Sequence, residues 1–244
     1  MRRLLALLAV PAALATVAGC GDRGAGGSTP PAGATTLVVR LSELPGMLPP
    51  GGMAAVPPRY SLFGDGRLIS VPDGPARGWP RLREDTVAPD DVLELYRAAT
   101  ALPDGPAADV PDGPVVQVTV GTTGGRRSVT LDRADPAAAR LLAALARQVD
   151  GPPVPYEPTA VAVVATPADP AEPARPWPLP TLAGEPLGAT SAGSTCLVLR
   201  GVDVDTARRA AATADAAARW SSAGQVWQVA PRPLLPDESG CADL

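Results

Sequence analysis

The chain has 244 residues, 45% of them hydrophobic, and a formal charge of -4, which is enough material for a real core in one or two domains. All 21 basic residues are arginine, and lysine, histidine and asparagine are absent; this excludes a Ser-His-Asp triad, an imidazole base, a histidine zinc motif, a Schiff-base lysine and a phosphate-loop amine. The acidic balance and the lack of a basic stripe speak against a nucleic-acid partner.

The chain opens on an export signal. Arg2 and Arg3 precede an apolar run from Leu4 to Val17, and small residues lead to Cys20. The run is shorter than the roughly 20 residues needed to cross a bilayer, and Gly and Pro follow it instead of a basic stop-transfer cluster. No acidic residue lies before Cys20, so loss of the two arginines would take the charge from -4 to -6. Val17-Ala18-Gly19-Cys20 resembles the bacterial lipobox. The resemblance implies cleavage after Gly19, a diacylglyceryl thioether on Cys20, and a membrane partner reached through that anchor. Each buried acyl methylene contributes about 0.8 kcal/mol, so two chains hold a soluble domain at a bilayer where one is marginal. The alternative is an ordinary secretory signal with an incidental cysteine. Residues 1–19 are therefore expected to be signal, and residues 20–34, rich in Gly, Ser and Pro, a flexible tether.

An N-terminal half is expected over 35–150. Thr36 to Glu43 is a predicted strand, and Tyr60 to Phe63 with Arg67 to Val71 flank Gly64-Asp65-Gly66 as a hairpin. Pro89, Asp90 and Asp91 open a helix with Val92, Leu95, Tyr96 and Ala99 on one face. A second hairpin pairs Val115 to Val120 with Ser128 to Leu131 around Thr122-Thr123-Gly124-Gly125. Asp135 then caps, and Pro136 opens, a helix carrying Ala138, Leu141, Leu142, Leu145 and Val149.

A proline-rich break, Gly151 to Pro158, leads into a C-terminal half over 151–244, expected to pack with the first as one globular unit. Thr159 to Ala165 and Cys196 to Arg200 are predicted strands, separated by a long irregular stretch. The spacing predicts an alanine-rich helix over Asp203 to Ser221, with Val204, Ala207, Ala211, Ala214 and Ala218 on one face and Asp215 and Arg219 as an i,i+4 pair. Gly224 would end it and Gln225 to Ala230 would return as a strand. In an exported chain the even pair Cys196 and Cys241 reads as one disulfide, closing a loop of about 45 residues. The expected fold class is α+β, with antiparallel hairpins and two helices in the first half and a disulfide-clamped strand-helix-strand unit in the second. P-A-R-x-W-P occurs twice, at Pro75 to Pro80 and Pro173 to Pro178, as a relic of two related halves or as chance in a Pro/Ala/Arg-rich chain.

The single Ile69 and Phe63, with no lysine or asparagine, are the mark of a GC-rich genome, with an actinobacterium as the natural host. "PPRYSLFGDGRLI" and "WSSAGQVWQVAPRPLLPDE" with a closing cysteine resemble a group of actinobacterial secreted lipoproteins of unassigned function. That resemblance implies one shared architecture and brings no catalytic residues.

With thiols assigned to lipid and disulfide, carboxylates, arginines, hydroxyls and tryptophan loops remain. Paired acids suited to a glycosidase are Glu84 with Asp85, Asp90 with Asp91, and Asp237 with Glu238. Each also has a structural reading, as a helix start or a polar loop. Met47 and Met53 offer soft Cu(I) ligands or a greasy loop. Arg175 to Pro180 has polyproline character, as a motif for an aromatic groove or as a surface strap. The expectation is a non-enzymatic, lipid-anchored module on the outer face of the cytoplasmic membrane, serving binding, scaffolding or envelope maintenance. It has no catalytic residues, metal or cofactor. The rivals are a carboxylate-based cell-wall glycan hydrolase and a solute-binding component of a transporter.

Overall fold

The computed structural model describes residues 29–46, 52–73, 79–103, 113–149, 151–152, 154–187, 193–215 and 217–244. The signal with Cys20, most of the tether, Met47 and the Pro75–Gly78 part of the first P-A-R-x-W-P segment lie outside them.

The fold is α+β and is built on two largely antiparallel sheets. The first contains β1 (Leu37–Leu44), β2 (Tyr60–Phe63), β3 (Arg67–Ser70), β4 (Arg83–Thr86), β5 (Val115–Thr122), β6 (Gly125–Asp132) and β7 (Val154–Pro155), in the order β6-β5-β1-β2-β3-β4-β7. The helices in this part of the chain are a single turn α1 (Gly52–Ala55), which lies against the second sheet, then α2 (Pro89–Thr100) and α3 (Pro136–Ala146), which pack on the first. The second sheet contains β8 (Ala160–Pro167), β9 (Ala174–Pro176), β10 (Glu185–Pro186), β11 (Thr195–Arg200), β12 (Arg219–Ser222) and β13 (Gln225–Pro233), in the order β10-β11-β8-β13-β12-β9, with α4 (Val202–Ala212) packed on it. Only β9 with β12 is parallel among the described pairs.

The first sheet is covered on both faces, which explains why β2 is buried at all four positions. On one face Val39, Leu41, Tyr60, Leu62 and Leu68 meet Val92, Leu95, Tyr96 and Ala99 of α2 and Ala138, Leu141 and Leu145 of α3. On the other, Leu37, Phe63 and Ile69 meet Leu82 and Leu235, a residue that follows β13. The helix starts follow local chemistry. The Asp135 carboxylate accepts from the backbone N–H groups of Ala137 and Ala138, at 2.7 and 3.2 Å, ahead of Pro136. Before α2, Ala88 supplies no side-chain cap, and Pro89 with Asp90 and Asp91 in the first turn performs that task.

In the second sheet Val161, Val163 and Ala165 of β8 face α4, while Ala160 and Ala162 meet Cys196 and Leu234 on the far side. Cys196 of β11 is bonded to Cys241, with 5.9 Å between their Cα atoms. This ties the C-terminal segment onto the sheet, as the cysteine count predicts.

The helix expected over Asp203 to Ser221 is shorter: α4 ends at Ala212, and Arg219–Ser222 is strand β12. The i,i+4 pair of Asp215 and Arg219 does not form, and the Arg219 Nε lies 2.6 Å from Glu172 instead. Tertiary packing overrides alanine propensity here, because the β12–β13 hairpin places Trp220 opposite Trp227 and buries both indoles. Its two-residue turn, Ala223-Gly224, has positive φ at both positions, 50° and 78°, the twist a tight hairpin requires. Alanine is strained there. Ala223→Gly is therefore expected to stabilise the protein by about 0.5–1 kcal/mol, less than the full strain because glycine also loosens the unfolded chain. Thermal unfolding checks this as a rise in midpoint of about 1–3 °C.

Candidate functional site

Two features join the halves: a buried ion network and a groove. In the network, Arg232 of β13 donates from both terminal nitrogens to the Glu238 carboxylate, at 2.7 and 2.8 Å. The backbone N–H of Leu235 donates to the same group at 2.9 Å. Arg40 of β1 donates to Asp237 at 2.7 Å and lies 3.2 Å from Glu238, and Arg126 of β6 donates to Asp237 at 2.9 Å. Two neighbouring acids thus bind arginines from both sheets. Burial pushes the Glu238 carboxyl up, but the hydrogen bonds and charge of Arg232, with Arg40 behind, hold it below the usual glutamate range. For Asp237 burial wins over Arg40 and Arg126, and its carboxyl is raised.

The groove lies between the sheets. It has a volume of about 850 Å3 and is lined by Trp79, Pro80, Tyr156, Pro158, Arg81 and Arg208, among others. Tyr156 is fixed by donating its hydroxyl to the carbonyl of Leu234 at 2.8 Å. Burial, more than neighbouring charge, pushes this phenol up to about 12, so it stays a neutral donor. Arg208 of α4 stands over the Trp79 ring, 5.8 Å from its centroid, and pairs with Glu157 at 3.3 Å.

Beside the groove lies a smaller cavity of about 40 Å3, bounded by Trp79, Trp177, Trp220, Ala207 and Ala211 of α4 and Ala214 just beyond its end. Trp177 and Trp220 meet edge to face, with ring centroids 5.4 Å apart. The tryptophans of both P-A-R-x-W-P segments therefore converge on one spot. The sequence pattern that could have suggested this is the small-residue face of α4, which leaves room for indoles.

The acid pairs divide differently from one another. On β4, Glu84 and Asp85 alternate across the strand: Glu84 lies 3.7 Å from Arg67, whereas Arg83 donates from Nε to Asp85 at 2.7 Å. Asp90 and Asp91 sit at the start of α2. Asp237 and Glu238 are held in the ion network and are not the polar loop residues their setting suggests. None of these six lines the groove. Met53 is exposed on α1. Arg175 to Pro180 does not stand free as a polyproline motif. It begins as edge strand β9, Arg175 donates to the carbonyl of Thr213 at 2.6 Å, and the N–H of Trp177 donates to that of Ser221 at 2.9 Å.

Among the described residues no three His, Cys, Asp or Glu side chains gather as a metal site, and no helix is long and apolar enough to cross a membrane. Compared with protein-family profiles, curated proteins and solved structures, the chain matches none.

Proposed function

We propose that this chain is a binding module of the bacterial envelope, held at the outer face of the cytoplasmic membrane by lipid on Cys20, and that the groove between its sheets is where it binds. The observation that carries the reading is the groove itself. Prolines and Tyr156 line it, and the bond from the Tyr156 hydroxyl to the carbonyl of Leu234 ties that part of its wall to the segment after β13, so this wall is held before any partner arrives. Glu84, Asp85, Asp237 and Glu238 are each engaged with arginines and none of them lines the groove, which supports a non-enzymatic role. Because the groove lies between the halves, it also favours the solute-binding reading, in which the module hands a ligand to a transporter.

Two measurements test this. Cys20→Ala is expected to lose its lipid and to leave the membrane fraction of live cells; a variant that stays bound as firmly as the parent would end the tethered reading. A photo-crosslinking side chain at Ala212, exposed and lining the groove, is expected to give an adduct in cells, whereas one at the exposed Arg140 of α3 is not. Equal labelling at both positions, or none at Ala212, would remove the groove from the proposal.

A further inference from the structure

A groove of about 850 Å3 falls within the roughly 300–1,000 Å3 typical of small-molecule sites, and its position between two packed halves is a common one for them. Three arginines, Arg81, Arg83 and Arg208, line it against one acid, Glu157, a formal lip of +2 on a chain of -4. Their commitments differ. Arg83 is bonded to Asp85 and donates to the carbonyl of Gly151 at 3.0 Å. Arg208 pairs with a largely exposed Glu157, and its Nε is buried with no hydrogen-bond partner among the described residues. Arg81 is exposed and makes no ion pair or hydrogen bond among the described residues. The same groove is lined by the rings of Trp79 and Tyr156 and the prolines Pro80 and Pro158.

We propose that the groove binds a small anionic ligand bearing a flat ring, its carboxylate or phosphate taken by Arg81 and Arg208 and its ring laid against Trp79. A planar guanidinium matches a carboxylate or phosphate in two-point geometry, and Arg208 already lies over the indole, so one ligand engages charge and ring together. A neutral ring would cover Arg208 and leave its Nε without an acceptor, and a bare anion would leave the ring wall unused. The inference rests on the binding-module reading but not on the membrane location.

The test is calorimetric titration of the full-length protein in phosphatidylcholine nanodiscs, with empty nanodiscs as blank and three probes: 2-naphthoate, 2-naphthamide and inorganic phosphate. Naphthoate is expected to saturate a single site, with the amide and phosphate each about tenfold weaker or more. Arg81→Ala and Arg208→Ala should each weaken naphthoate about tenfold, with Arg81→Lys in between. Arg81 is exposed and has no ion pair or hydrogen bond among the described residues to lose, so its variant is expected to keep the fold. Naphthoate binding that ignores both alanine variants, an amide or phosphate that binds as tightly, or no saturable naphthoate binding would each overturn the proposal. A chain that Cys20→Ala releases from membranes but that fails to bind naphthoate keeps its tether and loses this ligand class.

Discussion

Glu238→Ala is expected to lower the stability of the domain by about 3–5 kcal/mol, read as a drop in the urea and thermal midpoints. The size comes from what is left behind. The Glu238 side chain is fully buried and that of Arg232 is 4% exposed, so the truncation strands a guanidinium in the interior, takes a partner from Arg40 and frees the N–H of Leu235. Against a total of roughly 5–15 kcal/mol for a native domain, such a loss is a large part of the whole. The pair as such is a different matter, because apolar replacement of both partners of a buried ion pair is often tolerated. Arg232→Met with Glu238→Leu should therefore be less destabilised than Glu238→Ala alone; if the double variant is the worse of the two, the cost is not that of an orphaned charge. The pH dependence carries a sign. The Glu238 carboxyl is held below its unfolded value, so its stabilisation is present above that unfolded value and is lost as pH falls through the folded one. Asp237 is raised and works in the opposite sense, favouring the fold as it takes up a proton. Glu238→Gln should flatten the acid limb of the stability curve, and an acid limb unchanged by this variant would assign it to other groups.

Local chemistry made much of this architecture readable. The four residues predicted on the inner face of α2, Val92, Leu95, Tyr96 and Ala99, are all buried there, and Asp135 caps α3 before Pro136. Both N-terminal hairpins close on the glycine turns that announce them. Where reading failed, a long-range contact outweighed a local preference. The alanines after Thr213 read as helix, but burial of Trp220 against Trp227 demands a strand. β4, with the sequence Arg-Glu-Asp-Thr, has no apolar alternation at all and is recruited by pairing with β3 on one side and β7 on the other. The acids Asp237 and Glu238 are followed by Ser and Gly in a proline-flanked tail and carry no local sign of burial; only the fold brings Arg40, Arg126 and Arg232 to them. The groove was hidden for the same reason, since Trp79 and Tyr156 lie far apart along the chain.

Replacing both Cys196 and Cys241 by serine is expected to cost about 4 kcal/mol, the chain-entropy value for a closed loop of 45 residues. Cys196 is buried in β11 beside Ala160, Ala162 and Leu234, so serine there also loses packing and places a hydroxyl in an apolar setting. The loop that the bridge closes contains α4 and the β12–β13 hairpin, and just before Cys241 it delivers Asp237 and Glu238 to their arginines. Releasing it lets the tail fray from the end that supplies both acids. The disulfide and Glu238 should consequently be coupled: in the double-serine background Glu238→Ala should cost clearly less than in the parent, by about 1 kcal/mol or more in a double-mutant cycle. Denaturant unfolding of the four proteins measures both quantities. If the double-serine protein unfolds at the parent's midpoint, the bridge contributes nothing. If the two losses simply add, the tail holds its place without the bridge, through the ion network, the Tyr156 bond to Leu234 and the packing of Leu235.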